Sequence, residues 1–351
     1  MRGPVTQAAV PGRADTVVVG AGIAGLACAR ALSGSGRPPL VLERSRGVGG
    51  RCATRRVSGQ PVDHGAAFLH GSDGAFLTAI RAVRDTTVLD GWPLRIDGDG
   101  PPCLPRAFAS FERRLAYAEG LTAFSKDLAL GLDVRLDTRV ASLSAASAGI
   151  LVHADDGTSV WAPSVVLAVP PPTALRLLLP LGGEGREAAA VGAVLGMIGS
   201  QACLTALAGY PLDVNSPSWD VRYPDDSAIV QLISHDSSKR EAPRFVALVI
   251  QARPCWSRVQ FEKPEDTWVA ELLQEAARLV GPWVKRPSWV QAHRWRFARS
   301  DRGSELCRPL ALRLSGGGRV IVTGESFAPG GGIEAAWLAG NAGARRLTEE
   351  E

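Results

Sequence analysis

Residues 16–26 read TVVVGAGIAGL, and this stretch decides the fold of the chain. The three valines are typical of a parallel strand that is buried on both faces. The glycines that follow have the spacing G-x-G-x-x-G, in which Gly20 allows a tight turn, Gly22 lets the backbone approach a pyrophosphate, and Gly25 lets a helix pack closely on the strand. The stretch therefore predicts a strand, a phosphate-binding turn and a helix.

The residues on either side of the turn support a dinucleotide site. The first amides of the predicted helix, including those of Ile23 and Ala24, have no partner within the helix and would face the phosphates. A second apolar strand at 40–42 ends in Glu43, at about the 20-residue distance where a carboxylate accepts hydrogen bonds from ribose hydroxyls. A chain with 39 glycines produces some G-x-G-x-x-G spacings by chance, so the prediction depends on the agreement of strand, helix and acid.

The next glycine-rich segment distinguishes between the possible dinucleotides. Residues 43–51 read ERSRGVGGR, in which Gly49 and Gly50 offer a second backbone cradle and Arg51 places a cation beside it, with Arg44 at the start of the run. The segment resembles the E-R-x-x-x-x-G-G-R continuation of the flavin-containing amine oxidases. That resemblance implies FAD rather than NAD.

Composition excludes several other classes of protein. The net charge of +4 comes from basic and acidic residues spread along the chain, so no nucleic-acid partner is expected. The most apolar stretch, 188–209, is interrupted by glycines and polar residues, so no integral membrane segment is expected. The six cysteines are scattered and form no C-x-x-C pair, which predicts free thiols, no metal site and a cytoplasmic location. Residues 1–14 lack the apolar core of a secretory signal and are predicted to be a disordered tail.

A second glycine motif follows at 62–70, which read VDHGAAFLH. It resembles the segment that passes along the flavin in the renalase-like branch of the amine oxidases, and the alternative is a plain turn that carries two histidines. No third ligand lies near His64 and His70, so a zinc site is not expected.

Two further segments resemble this family. Residues 165–172, VVLAVPPP, resemble the crossing between the cofactor and substrate domains, and the resemblance places Val140 beside the adenine on a strand at 134–140; the alternative is a core valine. Residues 289–297 alternate as a strand with one aromatic face, and 293–296, HRWR, resemble a segment of bacterial renalase-like proteins. That face is either a cavity wall or an aromatic core.

The C-terminal segment 320–339, VIVTGESFAPGGGIEAAWLA, is the second strong signal. It resembles the flavin motif G-D-x followed by G-x-x-E-G-A-x-x-S-G, with Glu325 where Asp is usual and Ala335 and Ala339 where Gly and Ser are usual. The resemblance implies that the acid meets the ribityl chain and that an amide near Ile333 meets flavin O2.

The middle of the chain predicts a separate domain. Strand candidates at 228–233 and 245–250 precede an amphipathic helix that Pro264 opens and Gly281 ends. The predicted fold class is α/β: a Rossmann-like FAD domain of the glutathione-reductase type with a parallel central sheet, and an inserted α+β substrate domain on an antiparallel sheet. The predicted cofactor domain comprises 15–67, 119–172 and 291–351, and the substrate domain 68–118 and 173–290.

The predicted cofactor is non-covalent FAD, because no cysteine lies in the loop 326–334 where covalently flavinylated amine oxidases carry one. The predicted cofactor-binding residues are Gly20, Gly22, Ile23, Ala24, Gly25, Glu43, Arg44, Gly49, Gly50, Arg51, His64, Gly65, Ala66, Ala67, Val140, Gly324, Glu325, Gly332 and Ile333. The sequence identifies no catalytic base, and the positional candidates for the substrate pocket are Trp295, Trp337 and His70.

The resemblance to renalase-like proteins implies an FAD-dependent oxidoreductase. Its substrate would be a small molecule, an amine or a dihydronicotinamide-like compound, that gives a hydride from a C–N centre or dihydropyridine ring to flavin N5. Oxygen or another acceptor would then reoxidise the flavin. The alternatives are an FAD-dependent desaturase or isomerase, a natural-product tailoring oxidase, and a non-catalytic FAD-binding scaffold. Oligomeric state stays open.

Overall fold

A computed structural model of the chain describes residues 12–97, 105–184 and 186–349. In chain order the strands are β1 Gly12–Arg13, β2 Thr16–Val19, β3 Leu40–Leu42, β4 Thr54–Val57, β5 Gln60–Asp63, β6 Leu69–Gly71, β7 Val88–Asp90, β8 Ile96–Asp97, β9 Arg113–Tyr117, β10 Asp133–Arg135, β11 Val140–Ala146, β12 Gly149–Ala154, β13 Ser159–Ala162, β14 Ser164–Leu167, β15 Ser200–Tyr210, β16 Val221–Arg222, β17 Val230–His235, β18 Val246–Ala252, β19 Trp289–Ser300, β20 Leu310–Arg313 and β21 Arg319–Val322. The α-helices are α1 Ile23–Gly34, α2 Gly74–Arg81, α3 Thr122–Ala129, α4 Pro171–Leu178, α5 Arg186–Met197, α6 Pro254–Gln260, α7 Glu265–Val280 and α8 Gly332–Glu349.

The central sheet has the strand order β10-β3-β2-β14-β21-β20. The first five strands are parallel and β20 pairs antiparallel with β21. The valine run of β2 is buried throughout, because both faces of the sheet are covered. This parallel sheet confirms the predicted α/β class and the Rossmann-like cofactor domain.

Different elements pack on the two faces of the central sheet. On one face Val18 packs in a core with α1, α3 and α8, and a Cβ at Gly340 of α8 would clash with the carbonyl oxygen of Ala24 in α1. On the other face Val17 packs in a core with the sheet β1-β13-β12-β11 and with α4 and α5. Glycine at 340 thus allows the two helices beside the sheet to touch through their backbones.

The substrate side is built on a second six-stranded sheet of order β19-β15-β18-β17-β16-β8, in which only the β16–β8 pair is parallel. Helix α7 covers one face with Trp268 and Leu272 fully buried, and it lies between Pro264 and Gly281 as predicted. The opposite face looks toward the cofactor side. The predicted antiparallel substrate sheet is therefore confirmed.

Three predicted domain boundaries need correction. The boundary at 291 falls inside β19, which pairs along most of its length with β15 of the substrate sheet. Helices α4 and α5, which follow the predicted boundary at 172, pack on the core of the central sheet. Within the predicted substrate segment 68–118, Phe76 and Tyr117 share the core of α1. The reason is that hydrophobic faces of segments assigned to one domain are buried against elements of the other domain.

Some predicted elements are shorter or divided. The predicted strand at 134–140 consists of the end of β10 and the start of β11, which belong to different sheets. Of the predicted tail, residues 1–11 lie outside the described residues, whereas Gly12 and Arg13 pair with β13 and are not disordered. Within the described ranges, no helix combines the length and the hydropathy that crossing a membrane requires.

Candidate functional site

A large cavity of about 1540 Å³ runs between the central sheet and the substrate sheet. Its volume exceeds the roughly 300–1,000 Å³ of most small-ligand clefts, as a site for a dinucleotide plus a substrate requires. All the predicted cofactor-binding residues except Gly25 line it, and so do the pocket candidates Trp295 and His70. Segments that lie far apart in the chain therefore meet at one site.

The phosphate turn has the geometry that its glycines predict. Gly20 has φ +104°, and a Cβ there would lie 2.7 Å from the carbonyl oxygen of Ala168. A Cβ on Gly25 would clash with the carbonyl oxygen of Gly20, so Gly25 is a packing residue beneath the turn rather than part of the lining. Gly22 caps α1 without any side-chain hydrogen bond, and a Cβ there would meet nothing within 4 Å. The helix thus presents bare backbone to the cavity.

Glu43 is fixed beside this turn by backbone donors. Its two carboxylate oxygens accept from the amide of Ala21 at 2.7 Å and from the amide of Ser45 at 2.8 Å. The side chain is buried at the rim of the cavity. The acid is therefore already oriented at the end of β3, where a ribose hydroxyl would reach it.

The second glycine pair closes the other side of the turn. The amide of Gly49 donates to the carbonyl oxygen of Ala21 at 2.9 Å, and Gly49 and Gly50 both have positive φ. Arg51 then forms an ion pair with Glu325, whose carboxylate also accepts from the amide of Ser300 at 3.0 Å. This contact joins the N-terminal and C-terminal motifs.

The C-terminal glycine loop presents backbone to the cavity. Gly330, Gly331 and Gly332 all have positive φ, and α8 starts at the last of them. Ile333 in the first turn lines the cavity. The side chain of Glu334 turns away and accepts from the amides of Ser72 and Asp73, just before α2. The positive end of the α8 dipole is therefore available to a ligand.

The rings of His64, His293 and Trp295 cluster beside the segment 64–67. The indole nitrogen of Trp295 donates to the carbonyl oxygen of His64 at 3.1 Å, and the rings of His64 and His293 lie 5.0 Å apart. Arg55 contacts Nδ1 of His293 at 3.1 Å, and since a guanidinium only donates, that nitrogen is the acceptor. Burial, and then the charge of Arg55, lower the pKa of His64 to about 3 and of His293 to about 4. Both rings are neutral at pH 7.

These neutral histidines predict a loss of stability in acid. Between the unfolded pKa of about 6.5 and the folded values, the unfolded chain binds protons that the native chain does not, so stability falls as pH falls. For buried His64 the loss between pH 6.5 and 5 should be about 2 kcal/mol, and for the more exposed His293 it should be smaller. Urea unfolding of the apoprotein at the two pH values measures it.

Two variants isolate this contribution. His64→Asn should flatten the pH dependence, whereas His153→Gln, whose ring lies between the hydroxyls of Ser144 and Ser159, should leave it unchanged. An equal slope in wild type and His64→Asn would contradict the assignment.

His70 belongs to a second polar group on the cavity wall. Its Nδ1 lies 3.0 Å from Glu112, which also accepts from Nε of Arg106 at 2.9 Å. The carboxylate of Glu112 is buried and therefore holds the imidazole in one orientation. The other ring nitrogen, Nε2, lies 4.0 Å from the place of a Cβ on Gly332. It is the nitrogen that can meet a ligand.

Trp337 is the one pocket candidate that the structure contradicts. Its ring packs on Phe76 with 5.8 Å between centroids, and the cavity-facing residues of its helix are Gly332, Ile333 and Ala336. Trp337 lies one turn farther along α8 than Ile333, and at that point its indole packs in the core beside α2.

Several cavity residues were not predicted from sequence. They include Arg55, Phe68, Cys203, Tyr223, Leu232, Gln251 and Arg299. The amide nitrogen of Gln251 donates to the carbonyl oxygen of Gly65 at 2.5 Å, so the substrate sheet contacts the segment 64–67 directly. The alternation of side chains along β18 and β19 is a weak signal for such residues, because it separates the two faces of the substrate sheet. It does not show which of those faces borders the cavity.

The residues present fit a flavin dinucleotide. Nδ1 of His64 is a buried polar atom without a hydrogen-bond partner in the described part of the chain, and it borders the cavity. The bare backbone at Gly22 and the uncapped start of α1 suit a pyrophosphate. The glycine loop before α8 suits the ring end. The donor set thus extends over the whole length of such a cofactor.

Comparison with protein-family models gives two matches. The model described as NAD(P)-binding Rossmann-like domain matches residues 18–81, and the model described as flavin containing amine oxidoreductase matches residues 97–348. The second match covers well over half of the chain.

Curated relatives match only the N-terminal part. The Mycobacterium tuberculosis protein that carries the name flavin-containing monoamine oxidase AofH is 49% identical over 67 residues, which are 19% of this chain and 15% of that protein. Polyamine oxidase 4 of Oryza sativa is 47% identical over 57 residues, which are 16% of this chain and 12% of that protein. The matches thus span less than a sixth of the relatives' length.

Solved structures match the whole fold. A putrescine oxidase triple mutant covers 97% of this chain and 100% of its own, with a TM-score of 0.73 and 16% identity. Cyclohexylamine oxidase from Brevibacterium oxydans covers 96% and 99%, with a TM-score of 0.73 and 14% identity. At this identity the likeness shows the fold alone.

Proposed function

The chain belongs to the flavin-containing amine oxidoreductases, so FAD is its cofactor, and we propose that it oxidises a small molecule at a carbon bonded to nitrogen. One observation carries this proposal. The cavity that contains the two phosphate cradles continues without interruption to a pocket beneath the substrate sheet, lined by Phe68, Leu232 and Trp295. A donor carbon held there would lie over the ring end of the cofactor.

Bound FAD supplies a two-electron acceptor that takes a hydride at N5. The chain positions the donor and excludes water. Phe68, which is buried against Trp92 at 6.1 Å between ring centroids, and Leu232 provide apolar walls. The N-terminus of α8 would stabilise negative charge on a bound flavin, because the positive end of its dipole faces the cavity. Hydride transfer to a bound flavin requires no nucleophilic side chain from the protein.

The donor is proposed to be an amine or a dihydropyridine ring, the substrates that a renalase-like resemblance implies. An amine must lose its ammonium proton before it can give a hydride. His70 is the proposed acceptor of that proton, because Nε2 is the nitrogen left available on the cavity wall and Glu112 fixes the ring through Nδ1.

The role of His70 predicts a particular pH profile. In His70→Gln the rate of flavin reduction by an amine at neutral pH should fall by about 100-fold, within the range for general base catalysis. At a pH near the amine's own pKa of about 10 the deficit should shrink, since the donor is then neutral without help. A purely structural defect would lower the rate equally at all pH values. Stopped-flow reduction measures it, with His153→Gln as the control.

The experiment that tests the proposed function is anaerobic reduction. The purified protein should be yellow, and acid precipitation should release FAD into the supernatant, because no cysteine lies in the loop 326–334. An amine panel and dihydronicotinamides should then bleach the flavin, and admission of oxygen should restore the colour. A flavin that no donor reduces would contradict the proposal, and colour retained in the precipitate would contradict non-covalent binding.

A further inference from the structure

The cavity is far more basic than the chain as a whole. Among the described residues, fourteen arginines and lysines but only six acids line it, whereas the whole chain has 39 basic and 35 acidic residues. Several of the acids are already engaged: Glu43 accepts from two amides, and Glu325 accepts from Arg51 and Ser300. The pyrophosphate of FAD accounts for cations near the phosphate turn. The pyrophosphate does not account for the cations at the substrate end of the cavity.

Arg299 is one of the cations that the substrate sheet contributes to the cavity. Successive strand residues point in opposite directions, and the neighbouring Ser300 contacts Glu325 at the cofactor. The charge of Arg299 acts instead on Cys203 and Tyr223, where it opposes the rise in pKa that burial causes. All three residues line the cavity. Within the described ranges, no acidic side chain forms an ion pair with Arg299.

The neighbours of Arg299 complete a site for an anion. The hydroxyl of Tyr223 has no hydrogen-bond partner among the described residues, and burial keeps its pKa above the ordinary value, so it stays a donor. Arg106, another cation that lines the cavity, forms an ion pair with Glu112. Glu305, the acid nearest to Arg299 in sequence among those that line the cavity, accepts from the amide of Gly303. A guanidinium and a phenol that find no partner among the described residues are the groups that bind a carboxylate.

Resting on the proposed function, we propose that the substrate is an amine that also carries a carboxylate, and that Arg299 and the hydroxyl of Tyr223 bind this carboxylate. The arrangement places the anion at the substrate sheet and leaves the amine free to meet His70 on the adjoining wall. A simple diamine, with a cation at each end, would bring positive charge to an uncompensated guanidinium. The site therefore selects against it.

Three probes that share one ring and differ in charge test the proposal. The holoprotein is titrated with benzoate, benzamide and benzylamine, and binding is followed by perturbation of the flavin absorption spectrum. Benzoate should bind at least about 10-fold more tightly than benzylamine, and added salt should weaken it. Arg299→Gln should raise the Kd of benzoate by about 10- to 100-fold and leave that of benzamide unchanged. Tyr223→Phe should raise the Kd of benzoate by a few fold.

The matched control is Arg258→Gln, the same change of charge at an exposed position of α6 outside the cavity, which should leave all three affinities unchanged. FAD content and reduction by amines are measured on the same preparations. If the protein is yellow and amines reduce it, but benzoate binds no better than benzylamine or binds equally to Arg299→Gln, this proposal alone is overturned. If no donor reduces the flavin, the proposed function fails and this proposal fails with it.

Discussion

Replacement of Gly22 by valine is expected to give a folded protein that no longer retains FAD. The backbone at Gly22 has φ −74° and ψ 177°, which any residue adopts, and a Cβ there meets no protein atom within 4 Å. The side chain would therefore cost little in folding. It would project into the space where the pyrophosphate approaches the first amides of α1.

We expect the Kd of FAD to rise by at least about 100-fold, which corresponds to about 2.7 kcal/mol. Flavin absorbance per mole of purified protein gives the first readout, and titration of the apoprotein gives the affinity. Gly34→Val is the matched control, because Gly34 ends the same helix, is exposed and lies outside the cavity, with nothing within 4 Å of its Cβ position. Both apoproteins should unfold near the wild-type temperature.

A stoichiometric FAD content in folded Gly22→Val would refute the phosphate turn. Gly25→Val tests a different point, because a Cβ at Gly25 clashes with the carbonyl oxygen of Gly20. That variant should lose stability as well as FAD. Substitutions at these two glycines of one motif are therefore expected to differ, with loss of FAD alone at Gly22 and loss of both FAD and stability at Gly25.

The substitution Lys239→Met is expected to destabilise the protein by about 3–5 kcal/mol, the range for removal of one partner from a buried ion network. The ammonium of Lys239 lies 2.7 Å from carboxylate oxygens of both Asp63 and Asp236, and all three side chains are fully buried. Asp63 also accepts from the hydroxyl of Thr54 and the amide of Leu121. The network thus ties the substrate side to the strand that leads into His64.

The reason for the loss is uncompensated negative charge. Although burial opposes it, the charges of Lys239 and Arg240 hold the pKa of Asp63 below its ordinary value, while burial raises that of Asp236. Without Lys239, two buried carboxylates share only Arg240, which lies 3.2 Å from Asp236. The double variant Lys239→Met, Asp236→Asn should therefore recover part of the stability, because it removes one charge together with its partner.

Urea unfolding at pH 7 measures this effect on the holoprotein and the apoprotein. Lys263→Met is the control, because Lys263 is exposed, and it should change stability by less than about 0.5 kcal/mol. The idea fails if Lys239→Met unfolds like that control, or if the double variant is as unstable as the sum of its two single changes.

The cofactor half of the site could be predicted from sequence because its determinants are local. The phosphate turn depends on the left-handed backbone of Gly20 and on the close approach of Gly25 to the carbonyl oxygen of Gly20, and only glycine satisfies both. The same holds for Gly49 and Gly50 and for the glycine loop before α8. Backbone contacts of this kind leave a pattern in the sequence, and the structure brings those patterns together around one cavity.

The substrate half was decided by tertiary structure alone. Cys203 on β15 pairs with Trp295 on β19, but Gln201 pairs with Arg299, so the register shifts between them. Because side chains alternate along a strand, such a shift decides which of them face the cavity, and no composition or spacing records it. The packing of α8 against α2 likewise puts Trp337 in the core. Sequence by itself therefore determined the family of fold and the cofactor, while the pairing of distant strands determined what the cavity presents to a substrate.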